Sequence, residues 1–154
     1  MLQSFWKERP MGYRFLEHTA DVEFIASGKN LDAALRSAAE AMFDTIADGS
    51  MLSKKRTRKM VVSVMVRADN YTDLAWLMLQ HLLSKASSMN LFLYEVESVD
   101  VKEMRNGRLL CRISAFGKEQ DKESARTEVK AVSRYNIETR RTGNSYSVRA
   151  VLDI

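Results

Sequence analysis

The chain has 154 residues, of which 45% are hydrophobic and 29% are charged, a composition typical of one globular domain whose core can form without disulfides. A single cysteine, Cys111, excludes an internal disulfide framework and is predicted to be a small core residue, while the net charge of +4 permits contact with RNA or with an acidic protein. No signal peptide is recognisable and no apolar run approaches the ~20 residues needed to cross a bilayer, so we expect a cytoplasmic protein with no membrane association.

Regular patterning begins at Tyr13, so residues 1–12 are interpreted as an N-terminal extension and residues 13–154 as the domain. Two strand-like stretches, 13–17 and 22–27, flank the polar segment His18-Thr19-Ala20-Asp21. A short polar segment held between two strands suits binding or catalysis. The simpler alternative is that His18 and Asp21 only cap a turn.

Two helices are predicted. Asn30 is a good N-cap for the first, in which apolar residues recur at three- and four-residue steps as far as Ile46, and Gly49 is expected to end it. Asn70 is expected to cap the second, whose broad apolar surface predicts a largely buried helix. Within it, His81 is predicted to be a hydrogen-bonded core or boundary residue rather than a metal ligand, because no second metal-binding side chain follows four residues later.

Residues 60–68, between the two helices, are rich in β-branched residues and predict a strand. After the second helix the sequence alternates with a period of two and predicts strands at 91–98, 99–105, 108–116, 128–132, 137–141 and 146–151. Asn106-Gly107 is a strong hairpin signal, and the charged stretch 117–126 is expected to be a loop. Two helices among hairpin-connected strands predict an α+β fold, a single domain with two helices packed on a mostly antiparallel or mixed β-sheet.

A basic segment precedes the strand predicted at 60–68. Five of its six residues are cations: Lys54, Lys55, Arg56, Arg58 and Lys59. Such a segment could contact RNA, but no aromatic residue is interleaved with the cations to stack a base, so a solvated loop is the simpler interpretation.

Oxygen ligands are concentrated at the two ends of the patterned region. Alternation continues to the end of the chain, so Asp153 and the α-carboxylate of Ile154 are expected to be held by the last strand. If that strand runs beside the first, these groups and Asp21 converge, and they would repel one another unless a cation lay among them. Hard oxygen donors favour Ca²⁺ or Mg²⁺, with Mn²⁺ also compatible.

Several catalytic motifs are absent from the sequence: a Gly-rich phosphate loop, cysteine pairs, His-Glu-x-x-His and Gly-x-Ser-x-Gly. Four sequence blocks, 15–22, 41–48, 128–132 and 151–154, resemble the archease family in order and spacing over nearly the whole chain from Tyr13. Archeases are small metal-binding proteins that assist the tRNA-splicing RNA ligase. The resemblance implies that this chain promotes GTP-dependent guanylylation of the ligase and its multiple turnover, as an activating factor rather than an enzyme.

The resemblance also implies a site. By position, the metal ligands are Asp21, Asp153 and the terminal carboxylate of Ile154, with His18 and Asp48 as weaker candidates and calcium as the expected ion. Where the family usually reads Thr-Tyr-His after Val-Lys-Ala-Val, this chain has residues 133–135, Ser-Arg-Tyr, and so lacks a second imidazole there.

Two other functions fit the residues. A metal-dependent phosphoester hydrolase could use the aspartates and His18 to activate water, and it would turn over a phosphoester by itself. An RNA-binding module would use the basic segment, and its affinity would fall steeply with salt.

Overall fold

The computed structural model describes residues 12–16 and 21–154. Residues 1–11 of the predicted extension lie outside the described residues, and Gly12 is the first residue of a strand. Within the described ranges the chain forms eight strands and three helices. They are β1 (Gly12–Leu16), β2 (Val22–Gly28), α1 (Leu31–Ile46), α2 (Gly49–Lys54), β3 (Met60–Ala68), α3 (Tyr71–Ser88), β4 (Leu91–Glu103), β5 (Leu109–Glu119), β6 (Ala131–Val132), β7 (Glu138–Thr142) and β8 (Ser145–Asp153).

The strands form two sheets, and every pairing between them is antiparallel. One sheet has the order β1-β2-β8-β6, with β7 also paired to β8, and the other has the order β3-β5-β4. The predicted α+β class is confirmed. The division into two sheets and the short helix α2 were not anticipated from the sequence.

Helices α1 and α3 each contact both sheets. Helix α1 packs against β1, β2 and β8 and also against β4, whereas α3 packs against β3, β4 and β5 and also against β6 and β7. The side chains between them form one continuous core, which includes the fully buried Phe24, Leu35, Met78, Ile113 and Leu152. Both sheets are therefore fixed to each other through shared apolar packing.

Both predicted N-caps are confirmed. The Asn30 side chain accepts a hydrogen bond from the Ala33 amide at 2.8 Å, and Asn70 accepts one from the Asp73 amide at 2.8 Å. In each helix this satisfies one of the amides that the first turn leaves unpaired.

The predicted role of Gly49 as the end of the first helix is wrong. Helix α1 ends at Ile46, residue Ala47 is extended, and Gly49 is the first residue of α2. A new helix starts there because the Asp48 side chain accepts hydrogen bonds from the amides of Ser50 and Met51.

Strand boundaries also differ from the prediction. The stretches predicted as 91–98 and 99–105 form one strand, β4, whose register with β5 shifts between Leu93 and Glu95 and between Val96 and Ser98. Because these irregularities interrupt the period-two alternation, the sequence pattern has the appearance of two strands. The strand predicted at 128–132 shortens to Ala131–Val132, because only these residues pair with β8.

Two predictions about single residues have opposite outcomes. Cys111 is completely buried, and burial is the main cause that raises the pKa of its thiol to about 12. His81 was expected in the core or at its boundary, but it is exposed on α3. Its neighbours Leu79 and Leu82 occupy the buried face of the helix instead.

Among the described residues, none of the helices combines the length and the apolar character that crossing a membrane requires.

Candidate functional site

The predicted carboxylates lie at one corner of the five-stranded sheet. Strand β2 pairs with β8 so that Val22, its first residue, is opposite Leu152. Asp21 precedes Val22 and Asp153 follows Leu152, so the antiparallel register brings both acids to the same end of two neighbouring strands. The last strand runs beside β2 rather than beside the first strand β1, which lies on the other side of β2.

The C-terminal end of β8 is held on both sides. Asp153 pairs with Ala131 of β6, and its carbonyl accepts a hydrogen bond from the Lys130 amide at 2.7 Å. Strand β6 is itself held by α3, because the Trp76 indole donates to the Val132 carbonyl at 2.9 Å. The acid at position 153 is therefore presented by a fixed backbone, with Ile154 as the exposed terminal residue.

The donor set at this corner consists of oxygen atoms. Neither Asp21 nor Asp153 forms an ion pair with any residue in the described parts of the chain. Two aspartates and a main-chain carboxylate are donors of the kind that Ca²⁺ and Mg²⁺ prefer. The residues present therefore fit a hard divalent cation chemically.

A complete side-chain metal cluster is not found in the described ranges. In residues 12–16 and 21–154 no three His, Cys, Asp or Glu side chains are grouped so that they could hold a metal ion. The predicted set has only two such side chains, since its third ligand is the carboxylate of Ile154, and His18 lies outside the described residues. The metal-ligand assignment stays a prediction.

Asp48, the weaker candidate, has a structural role. Its Oδ1 accepts hydrogen bonds from the amides of Ser50 at 3.0 Å and Met51 at 3.2 Å, which makes it the N-cap of α2. Its Oδ2 lies 3.5 Å from the Arg126 guanidinium. These donors, with the Met51 amide as the largest cause, hold the pKa of Asp48 below its usual value.

Arg126 links the end of α1 to the segment that leads into β6. Its guanidinium donates to Asp44 Oδ1 at 2.6 Å, and Asp44 Oδ2 accepts a hydrogen bond from the Tyr13 hydroxyl at 3.3 Å. Burial, followed by the Asp44 charge, raises the pKa of Tyr13 to about 12. The hydroxyl therefore stays protonated and keeps donating, which ties β1 to the same cluster.

A polar cavity beside the corner was not predicted from the sequence. It has a volume of about 330 Å³ and is lined by Glu23, Arg149, Val151 and residues 135–138. Glu23 is only 6% exposed and accepts a hydrogen bond from the Arg149 guanidinium, across β2 and β8. The period-two pattern around Val22 and Phe24 indicates that the Glu23 side chain points away from the core. That Glu23 pairs with Arg149 depends on the strand register, which the sequence does not show.

The basic segment belongs to a different part of the molecule. It covers the last residue of α2 and the connection to β3, next to the three-stranded sheet. Of its five cations, Lys55 forms an ion pair with Asp121 at 2.8 Å.

Comparison with known proteins identifies the relatives of this chain. A family profile described as the Archease protein family (MTH1598/TM1083) matches residues 13–154. "Protein archease" of Methanosarcina barkeri is 30% identical over 151 residues, which cover 92% of this chain and 95% of the relative. The protein of the same name in Sulfurisphaera tokodaii is 31% identical over 146 residues, covering 92% and 98%.

Solved structures show the same fold. The solution structure of Methanobacterium thermoautotrophicum protein 1598 has a TM-score of 0.77 and 26% identity, and the match covers 93% of this chain and 99% of that one. A crystal structure from Thermotoga maritima, described as an archease and "possible chaperone", has a TM-score of 0.59, with 90% and 94% coverage. Since that protein is only 18% identical to this chain, the similarity shows a shared fold and nothing more.

Proposed function

Since the chain belongs to the archease family, we propose that it is an accessory protein that activates a tRNA-splicing RNA ligase, with a divalent cation held by Asp21, Asp153 and the carboxylate of Ile154. Its role is to promote guanylylation of the ligase by GTP and to sustain repeated turnover. The ligase, and not this chain, makes the RNA bond.

One observation carries the proposal. The pairing of Val22 with Leu152 brings Asp21 and Asp153 together at the end of the sheet where the chain terminates. Asp21 and Asp153 form no ion pair with the described residues, so the converging carboxylates repel one another, and a divalent cation removes that repulsion. Calcium is the ion that the family resemblance implies, and the oxygen donors suit Ca²⁺ and Mg²⁺ alike.

The chain supplies ligands and position. A bound divalent cation would supply positive charge that phosphate oxygens of a nucleotide or RNA end can contact. The backbone of Asp153 is fixed by β6 on one side, and the hydrogen bonds of β8 to β2 fix the other. The corner can therefore approach a partner without rearrangement of the sheet.

An accessory role fits the absence of catalytic motifs from the sequence. No Gly-rich loop in the sequence offers backbone amides to a triphosphate. The buried Lys118 is not an activated nucleophile either, because its ammonium donates to the carbonyls of Lys55 and Ser53. We therefore propose that no covalent guanylate forms on this chain.

Labelling of the ligase with radioactive GTP, followed by gel separation, tests the proposal. Catalytic amounts of the chain should accelerate labelling of the ligase, and no label should appear on the 17.6 kDa chain. Asp21→Asn should lose the acceleration because it removes one ligand charge without changing the size of the side chain.

Asp69→Asn is the matched control. Asp69 is an exposed aspartate that pairs with Arg108 near the end of β3, so this variant should accelerate labelling as the original chain does. Label on the chain itself, ligase labelling indifferent to the chain, or equal activity of the two variants would each overturn the assignment.

A further inference from the structure

A continuous stretch of the chain carries cations and no acids. Between Asp48 and Asp69 there is no aspartate or glutamate, and the stretch contains six cations: Lys54, Lys55, Arg56, Arg58, Lys59 and Arg67. In the structure it forms α2, the connection 55–59 and strand β3. This accumulation of charge is local, because the net charge of the whole chain is only +4.

Hydrogen bonds from a buried lysine of β5 hold the backbone of the connection between α2 and β3. Lys118 is 5% exposed, and its ammonium donates hydrogen bonds to the carbonyls of Lys55 at 2.5 Å and Ser53 at 3.4 Å. Lys55 in turn forms its ion pair with Asp121. Two lysines are thus used to fix the backbone, and the side chains of the connection are presented from a defined conformation.

The remaining cations at the end of α2 and in the connection are available to an external anion. Lys54, Arg56 and Arg58 are exposed, and none of them forms an ion pair with a residue in the described ranges. The ammonium of Lys59 lies 4.2 Å from the centre of the Phe116 ring on β5. An aromatic side chain therefore lies among the cations, although Phe116 is far from them in sequence.

The outward face of β3 extends this surface. Val61 and Met65 are 50% and 47% exposed, whereas Val62 between them is 1% exposed and belongs to the core. Val61 is opposite Phe116, and Met65 is opposite Arg112. Helices α1 and α3 pack on the other side of this sheet, in the main core. On the outward side, the short helix α2 packs on β4 through Leu52 and Phe92, and Val61 and Met65 of β3 stay half-exposed.

We infer that this strip, defined by Lys54, Arg56, Arg58, Lys59, Arg67, Arg112 and Phe116, binds single-stranded RNA through its phosphates, with a base stacked on Phe116. The stretch from residue 59 to residue 67 spans about 26 Å at ~3.3 Å per residue, long enough for a short run of nucleotides. The cations contact phosphates. The half-buried Phe116 ring offers a stacking surface that accepts any base once the Lys59 ammonium, which lies over the ring, moves to a phosphate.

The arrangement favours RNA over the other polyanions. A membrane surface would be bound through the cations and the exposed apolar side chains, but it has no planar group to stack on the Phe116 ring, whereas a nucleic-acid base has one. Glu95 is opposite Phe116 and Asp100 is opposite Arg112 on β4, so acids limit the strip on that side. The strip therefore follows the β3 edge, which suits one strand better than a duplex.

Fluorescence anisotropy of a labelled, unstructured RNA oligonucleotide across a salt series tests the inference. For single strands the slope of log affinity against log salt is about −0.7 per phosphate contact, so six cations predict a slope of roughly −4. Arg56→Gln with Arg58→Gln removes two contacts and should make the slope shallower by about 1.4 while weakening binding at every salt concentration tested.

Phe116→Leu separates stacking from charge. It keeps an apolar side chain between Val61 and Glu95 but removes the ring, so affinity should fall at least about fivefold with an unchanged salt slope. Circular dichroism of each variant verifies the fold, and the loop double variant tests the inference even if Phe116→Leu does not fold.

The matched control is Arg140→Gln with Arg141→Gln. These two exposed arginines lie on β7 of the other sheet, so RNA affinity and slope should barely change. Equal loss in the control and loop variants, a salt-independent affinity, or equally tight binding to vesicles of anionic phospholipid would overturn the inference. Guanylylation without RNA tests the ligase role separately, so the two proposals can fail independently.

Discussion

At the scale of single residues, Asp48 has two competing roles, cap and metal ligand. Its carboxylate already accepts two amides of α2 and lies near Arg126. We expect Asp48→Ala to lower the thermal midpoint by a few degrees, since a lost N-cap leaves amides unpaired, and Asp48→Asn to keep most of the stability. Calcium titration of both variants decides the second role: unchanged binding supports the cap, and loss of binding in Asp48→Asn would make Asp48 a ligand.

The pH dependence of the same residue follows from its pKa, which is lower in the folded chain than its usual value of about 3.9. A carboxyl group whose pKa is lower in the folded chain than in the unfolded chain stabilises the fold at pH values above its pKa in the unfolded chain. That contribution is lost as the pH falls through the pKa in the folded chain. Below pH ~4 the original chain should therefore lose stability faster than Asp48→Asn. Parallel acid titrations of the two proteins followed by circular dichroism measure the difference, and parallel curves would refute it.

At the scale of elements, β8 combines a central position with the end of the chain. Its buried residues Val151 and Leu152 fix the register up to Asp153, while Ile154 is exposed and can present its carboxylate. Residues added after Ile154 convert that carboxylate into an uncharged amide, so calcium affinity should fall about tenfold or more. The thermal midpoint without calcium should stay the same, because the added residues begin at an exposed position.

The same tag placed before Met1 is the control, and it should leave both calcium affinity and ligase activation intact. Calorimetric titration of the two tagged proteins measures the effect. Equal calcium binding by both would show that Ile154 contributes no ligand.

At the scale of the whole molecule, one core joins both sheets through α1 and α3, so we expect the domain to unfold in one cooperative step. Cys111 reports on the three-stranded sheet, and Trp76 reports on the contact between α3 and β6. In urea, alkylation of Cys111 and fluorescence of Trp76, measured in a Trp6→Phe background, should change with the same midpoint. Before that transition the thiol should resist alkylation, because it is buried and protonated. Separate midpoints would show that the sheets unfold independently.

Much of the fold could be predicted because it depends on local patterns. Asn30 and Asn70 cap helices by bonding amides three residues ahead, and this chemistry is visible in the sequence itself. The β-branched residues of β3 and the period-two alternation of β8 likewise predicted those strands. The α+β class follows from these elements taken together.

The exposure of His81 and the start of α2 were not predicted correctly. Each depends on which of several contacts, tertiary packing or side-chain capping, the residues form. His81 lies on a helix with a broad apolar surface, and only the packing of α3 decides which side faces the core. Glycine is typical of the position after a helix end, but Gly49 begins a new helix because the Asp48 side chain caps α2.

The sequence by itself determined the acids at 21 and 153, the basic segment and the family, since these are properties of residues in order. Only the tertiary structure decided that β8 lies beside β2, that Arg149 reaches Glu23, and that Phe116 lies beneath Lys59. The physical reason is that strands pair in the register that buries their apolar faces together across the whole core. Residues distant in sequence become neighbours only when that choice fixes the register.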